Sequence, residues 1–182
     1  MCYDYDSREA AIHDKGERQV EDGWTKIVNR HAAMVVGCVR RIVGNEHDTA
    51  DVVQDVFIEA YQMVGRTEVQ SYAGFLRCLA TRRAIDCLRT RLSAKGRESS
   101  FGEITSLPDS SPQPCQMAEA VELEDRLREA LTLLPALQAE VFALRFFDEM
   151  NYEEIARELN MTTNAVGLAL HEARARLQSL IG

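Results

Sequence analysis

Apolar residues recur at steps of three and four along most of the chain, the spacing that places them on one face of an α-helix. In the first half this pattern predicts three helices, over about 24–43, 48–64 and 71–92. Gly44 ends the first of them. No segment gives a convincing strand, so the pattern predicts an all-α protein.

The second half continues the helical pattern, with leucines spaced along 123–134 and 137–144. A short helix is predicted to begin at Asn151, a good N-cap residue, with Glu154 at the capping-box position. A new cap at Thr162 or Thr163 then opens the last helix. Two helices joined by a short turn are typical of a helix-turn-helix.

Proline and serine mark a break between the halves. All four prolines lie in 108–135, three of them in S-L-P-D-S-S-P-Q-P, which disfavours helix and sheet. We therefore expect two small helical domains, 21–92 and 117–182, joined by a flexible linker over 93–116. An extension, 1–20, precedes them.

Charge is distributed unevenly along the chain. The chain carries 21 Lys and Arg against 29 Asp and Glu, a net charge of −8. Residues 117–182 hold 6 of the basic and 12 of the acidic residues, so most of the acidity lies in the second half. Because phosphate binding needs clustered Lys and Arg, the position of the cations matters more than the net charge.

Location is suggested by three negative features. The acidic start M-C-Y-D-Y-D-S-R-E lacks the pattern of a signal peptide, and no apolar run is long enough to span a bilayer. The five cysteines form no C-x-x-C pair, which argues for reduced thiols and against a zinc site. We therefore expect a cytoplasmic protein without metal.

Two helices carry opposite charge patterns. Asp48, Asp51, Asp55 and Glu59 follow steps of 3, 4 and 4, and so share one helix face, which is either a dock for a basic partner or a solvated surface. The next helix carries five arginines and one acidic residue, with Tyr72 and Phe75 at its start. Arginines beside aromatic rings suit phosphates and unpaired bases, although such helices also occur as ordinary surfaces.

Enzymatic motifs are scarce. His31 and Cys38 share a helix stripe, which suggests either a thiol with its base or, more simply, core packing. The sequence contains no glycine-rich phosphate loop, no H-E-x-x-H and no G-x-S-x-G. We expect no catalytic residue and no cofactor.

Four segments in order resemble the extracytoplasmic function (ECF) sigma factors of bacterial RNA polymerase. H-D-T-A-D-V-V-Q-D-V-F-I-E-A-Y is similar to the family's D-A-E-D-L-x-Q-E-x-F, and F-L-R-C-L-A-T-R-R-A-I-D-C-L-R to its W-L-x-x-I-A-x-N-x-x-x-D-x-x-R. Further on, L-P-A-L-Q-A-E-V-F-A-L and Y-E-E-I-A-R-E-L-N resemble L-P-x-x-x-R-x-V-F-x-L and Y-x-E-I-A-x-x-L-G. The resemblance covers about 22–92 and 120–180, and implies sigma region 2-like and region 4-like domains.

The resemblance implies partners and roles for the first domain. In this family the acidic helix docks on the clamp helices of the polymerase largest subunit, and the polymerase flap is a second contact. The docking residues implied here are Asp48, Asp51, Gln54, Asp55 and Phe57. The basic helix melts and holds the −10 promoter element, which implicates Tyr72, Phe75, Arg77, Arg82, Arg83, Arg89 and Arg91.

For the second domain, the resemblance implies that the last helix reads the −35 element. The residues implied are Thr163, Asn164, Leu168, His171, Arg174 and Arg176. However, the family's V-K-S-R-L-x-R-A-R reads V-G-L-A-L-H-E-A-R here, so three expected cations are Gly167, Ala169 and Glu172. Either few contacts read the DNA or the domain mainly binds protein.

Departures also occur on the basic helix, where the family's tryptophan is Phe75 and its asparagine is Arg82. The function implied is promoter-specific initiation together with core RNA polymerase, with an anti-sigma factor as a further candidate partner. The alternative is a helix-turn-helix adaptor that binds proteins without initiating transcription.

Overall fold

Seven helices make up the computed structural model, which describes residues 6–64, 69–98 and 115–181, with side chains over 23–64, 69–94 and 122–181. Within these ranges the chain has no strand, as predicted. In chain order the helices are α1 (Asp6–Val43), α2 (Glu46–Val64), α3 (Tyr72–Glu98), α4 (Cys115–Leu133), α5 (Ala136–Phe146), α6 (Tyr152–Glu158) and α7 (Thr163–Ile181).

The first three helices pack as a bundle around the predicted apolar stripes. Val39, Val56 and Leu76, from α1, α2 and α3, are fully buried in one cluster. The turn between α1 and α2 needs Gly44, whose φ of +82° lies in the left-handed region that favours glycine. Asn45 then caps α2, because its side-chain oxygen accepts from the backbone N–H of Asp48 at 2.9 Å.

The last three helices form the predicted helix-turn-helix with α5 behind it. At the start of α6 the capping box is complete: Asn151 Oδ1 accepts from the Glu154 N–H, and Glu154 Oε2 accepts from the Asn151 N–H, both at 2.8 Å. Thr162 Oγ1 accepts from the N–H of Ala165 at the start of α7. Ile155 and Val166 are fully buried where α6 and α7 pack on α5. Local caps and apolar spacing thus account for this half.

The two halves are packed against each other, which the sequence did not predict. Leu131 of α4 and Leu177 of α7 belong to the same buried cluster as Leu88 of α3. In the opposite direction, Cys78 of α3 is buried among residues of the helix-turn-helix. The apolar core therefore passes from one half into the other.

Three helix boundaries differ from the predicted ones. The first helix begins at Asp6, so residues 6–20 of the predicted extension are helical. The basic helix α3 continues to Glu98, beyond the predicted end at residue 92. At the other end of the predicted linker α4 begins at Cys115, and residues 99–114 lie outside the described part of the chain.

Candidate functional site

The acidic face of α2 (Asp48, Asp51, Asp55 and Glu59) is only partly free. Asp51 and Asp55 are exposed, whereas Asp48 is half-buried and Glu59 forms an ion pair with Arg83. The pKa of Asp48 lies below its ordinary value, mainly because its carboxylate accepts a hydrogen bond from Asn45; a hydrogen bond from Arg91 also lowers the pKa. This carboxylate therefore stays ionised. The exposed negative charge on this face therefore belongs mainly to Asp51 and Asp55.

An aromatic groove (Trp24, Phe57, Ile58 and Tyr61) runs beside the acidic face, between α1 and α2. It encloses about 720 Å³, and Gln54 also lines it. The Trp24 ring lies edge-on to Tyr61, with 5.5 Å between ring centroids, and at 6.4 Å from Phe57. The predicted docking residues thus divide into two sets, with Gln54 and Phe57 at this groove and the aspartates on the neighbouring face.

Trp24 and Tyr61 were absent from the predicted docking set. Trp24 lies on the apolar stripe of α1, and its half-buried ring both packs against the main core cluster and lines the groove. The sequence did contain a sign of this groove. Ile58 and Tyr61 are apolar residues of α2, but they do not lie on the helix face that carries the buried Val52 and Val56.

The arginines of α3 are largely engaged within the protein. Arg83 pairs with Glu59, and that hydrogen bond raises the pKa of the Arg83 guanidinium. Arg91 contacts Asp48 at 3.2 Å and also donates to the backbone carbonyl of Val43. These two arginines therefore tie the basic helix to the acidic helix α2.

Two more arginines of α3 reach the second half. Arg82 Nη2 lies 3.1 Å from Glu140 Oε1 on α5. Arg89 donates to the carbonyls of Thr132, at 3.4 Å, and Leu134, at 3.0 Å, at the end of α4. Consequently four of the five predicted −10 arginines have partners inside the chain.

The remaining predicted −10 residues lie towards the start of α3. Arg77 is half-buried and makes no ion pair within the described part of the chain. Tyr72 is half-buried, and Phe75, also half-buried, packs against the main core cluster. Phe75 therefore contributes to packing in this conformation and presents only part of its ring.

A buried carboxylate, Asp148, follows α5 and was not predicted. Its side chain is only 1% exposed, and Oδ1 accepts from Arg41 Nη1 at 2.9 Å while Oδ2 accepts from Thr81 Oγ1 at 3.2 Å. The pKa of the Cys38 thiol is raised to about 12, mainly because the thiol is buried and secondly because the negative charge of Asp148 disfavours the thiolate. Cys38 is therefore a neutral, buried core thiol, which supports the packing interpretation over a thiol–His31 pair.

All six predicted −35 residues are exposed along α7: Thr163, Asn164, Leu168, His171, Arg174 and Arg176. Leu168 is 60% exposed. The guanidinium of Arg174 lies 4.9 Å from the centre of the Phe146 ring, a cation–π contact. Glu172 accepts a hydrogen bond from Gln138 at 2.6 Å and so also helps to hold α7 on α5.

The described residues offer neither a metal site nor a membrane-spanning helix. There, no group of three or more His, Cys, Asp or Glu side chains is arranged to hold a metal ion. None of the helices in the same ranges is long and apolar enough to cross a membrane.

Two family models match the chain in order: sigma-70 region 2 over residues 27–93 and sigma-70 region 4 over residues 124–177. The chain is 32% identical over 177 residues to the ECF RNA polymerase sigma factor SigD of Mycobacterium bovis, covering 95% of this chain and 81% of that protein. It is 26% identical to SigE, an ECF sigma factor of Mycolicibacterium smegmatis, covering 94% of this chain and 66% of SigE.

The fold agrees with these matches. The sigma factor RpoE of Bartonella quintana, solved in complex with the anti-sigma factor NepR, superposes with a TM-score of 0.51 at 18% identity. The superposition covers 87% of this chain and 96% of RpoE. Region 2 followed by region 4 on one helical chain, with a relative above 30% identity that is covered over 81% of its length, shows that the chain belongs to the sigma-70 family, in its ECF group.

Proposed function

We propose that this protein is a sigma factor that binds core RNA polymerase and directs it to promoters, while the polymerase carries out RNA synthesis. The observation that carries the proposal is the match of both sigma-70 regions, in order, on one chain. Curated relatives named as ECF sigma factors support it. A helix-turn-helix adaptor would account for the second region alone, and so it is not favoured.

Docking on polymerase is proposed for the outer surface of α2. Asp51 and Asp55 supply exposed negative charge for a basic partner surface, and the aromatic groove beside them accepts an apolar side chain. Gln54, exposed at the edge between the two, can hydrogen-bond to the same partner. Asp48 contributes less directly, because Arg91 and Asn45 already occupy its carboxylate.

Binding of the −10 element is proposed for α3. Its arginines can hold the phosphates of a melted strand, and Tyr72 and Phe75 can stack on an unpaired base. Arg82 and Arg83 are the most exposed of these cations, but each has a carboxylate partner to exchange for a phosphate. Strand binding on this helix therefore involves partner exchange.

Reading of the −35 element is proposed for the outward face of α7. Asn164 can make paired hydrogen bonds to an adenine edge, and Leu168 can contact a thymine methyl group. Backbone N–H groups at the start of α7 can bind a phosphate beside Thr163. Because its exposed cations are Arg174 and Arg176, α7 is better suited to contacts with base edges and to recognition of DNA shape than to binding many phosphates.

An anti-sigma protein is proposed as a further partner. RpoE of Bartonella quintana is bound to the anti-sigma factor NepR in its crystal, and its fold resembles this one. We place the protein in the bacterial cytoplasm, where polymerase and promoter DNA are found.

Multi-round transcription with purified core polymerase on native genomic fragments, followed by sequencing of the RNA 5′ ends, tests the proposed function. We expect transcripts that start at defined positions and share an upstream sequence, and that are absent with core polymerase alone. Replacing Arg77 by Ala, the α3 arginine that makes no ion pair in the described ranges, should reduce permanganate-detected melting more than it reduces polymerase binding. Polymerase binding without any promoter-dependent transcript would instead support the adaptor.

A further inference from the structure

We propose that carboxylates of the second half form an intramolecular latch, in which Glu140 and Asp148 hold arginines of the first half, keep the free protein closed and weaken its binding of single-stranded DNA. The link to promoter binding rests on the proposed function, whereas the closed state itself does not. The latch residues come from α5 and the turn after it on one side, and from α1 and α3 on the other.

The first point of the latch is the pair between Arg82 and Glu140. The Glu140 side chain is only 10% exposed, and its position on α5 faces α3 at 3.1 Å from the guanidinium. Arg82 stands where the ECF family has asparagine, and the additional length and charge of arginine allow this contact. The position that departs from the family pattern thus contacts the other half of the same chain.

The second point is Asp148, which is almost fully buried between the halves. Arg41 of α1 donates to its carboxylate and to the neighbouring carbonyl of Phe147, and Thr81 of α3 donates to the second carboxylate oxygen. A buried carboxylate with donors from two helices of the other half fixes the relative position of the halves.

Apolar packing continues across the same interface. Leu131 of α4 and Leu134, which follows the helix, are buried in the same cluster as the first bundle, at the chain end whose carbonyls Arg89 contacts. Cys78 of α3 is buried among helix-turn-helix residues one turn before Arg82. The ion pairs of the latch therefore lie beside apolar contacts between the halves. Separating the halves exposes the charged and the apolar residues to solvent.

Single-stranded DNA and the second half compete for the same cations. In the closed protein a phosphate at Arg82 has to compete with Glu140, and a phosphate at Arg89 has to compete with the carbonyl of Leu134. The acidic second half, with 12 acidic and 6 basic residues over 117–182, also repels a DNA strand from the basic helix. A partner that binds the two halves at separate sites stabilises the open state and releases these arginines.

The latch is tested on the full chain without polymerase, using the near-isosteric variant Glu140→Gln/Asp148→Asn. The control is Glu129→Gln/Glu153→Gln, which removes the same charge from exposed positions of the same half. The probe is fluorescein-labelled oligo(dT) of 12 nucleotides, measured by anisotropy over a salt series. Small-angle X-ray scattering gives the radius of gyration, and circular dichroism gives the helix content.

We expect the latch variant to bind oligo(dT) about tenfold more tightly than wild type, with a salt slope steeper by about 0.7 for each arginine released. Its radius of gyration should rise while its helix content stays unchanged, and the control should match wild type. Unchanged affinity and radius overturn the latch. An expanded protein with wild-type affinity overturns the claim that closure masks the DNA site.

If the first variant loses helix content, a charge swap between Glu140 and Arg82 tests the same ion pair. Glu140→Arg alone should expand the protein, whereas adding Arg82→Glu should restore the wild-type radius. Equal expansion of the single and double variants would overturn the pair as a latch. None of these measurements uses polymerase, so their outcome is independent of the transcription assay.

Discussion

Adding one cation to the outward face of α7 should strengthen duplex binding by a predictable amount. The face carries Arg174 and Arg176 but lacks charge at Gly167, where the structure leaves room for a side chain. A Cβ at position 167 would lie 3.7 Å from the Tyr152 ring, which is ordinary van der Waals contact. Gly167→Lys should therefore add an ammonium group to the proposed DNA-binding surface of α7 without a steric clash at its Cβ.

The expected size follows from counterion release. Each phosphate neutralised on duplex DNA contributes about −0.9 to the slope of log affinity against log salt. Two contacts give about −1.8, which corresponds to roughly 12-fold weaker binding when salt rises from 50 to 200 mM. A third contact gives about −2.7 and a roughly 40-fold loss over the same range.

Fluorescence anisotropy of the full chain on a labelled duplex measures both slopes, because the outward face of α7 is exposed in the closed structure. Gly167→Ala is the matched control: it should stabilise α7 by roughly 0.5–1 kcal/mol and leave the salt slope unchanged. Glu172 stays unaltered, since it accepts a hydrogen bond from Gln138. A wild-type slope steeper than about −4, or no change on adding the lysine, would refute the assignment of few phosphate contacts to this face.

Two further predictions concern the first half. Asp51→Lys/Asp55→Lys should weaken core polymerase binding by about 2 kcal/mol, roughly 30-fold, without loss of helicity, because both side chains are exposed; a pull-down that matches the exposed control Glu153→Lys would contradict this. Because the pKa of Asp48 is lowered in the folded state, its ionisation stabilises the protein above the ordinary value of 3.8, and this contribution is lost as pH falls through the lowered pKa. Asn45→Ala removes the largest cause of that shift. In urea denaturation measured over a pH series, the free energy of unfolding of this variant should therefore fall less steeply with decreasing pH below about pH 4. An unchanged pH dependence would show that Asn45 does not set this pKa.

Local structure was largely predictable from the sequence. The apolar steps of three and four located the helices, and the capping box at Asn151 and Glu154 is formed as predicted. These features depend on residues within a few positions of one another, so spacing and side-chain chemistry are sufficient to predict them. Helix ends without a cap or a breaker were less predictable, as the extension of α3 to Glu98 shows.

The surfaces were predictable only in part. The outward face of α7 follows directly from helical spacing, and all six predicted residues are exposed there. The arginines of α3 could be located on one helix, but their partners could not, because Arg82 and Glu140 lie 58 positions apart in sequence. Periodicity shows which side of a helix is polar, but it does not show what covers that side.

The sequence by itself determined an all-helical chain with an acidic helix, a basic helix and a helix-turn-helix, because each depends on local spacing and composition. Only the tertiary structure decided that the halves share a core and that Asp148, 107 positions from Arg41, accepts its hydrogen bond at 2.9 Å. The physical reason is that burial and ion pairing depend on which surfaces meet in space. Many pairings of polar and apolar faces satisfy the same helical pattern, and packing selects one of them.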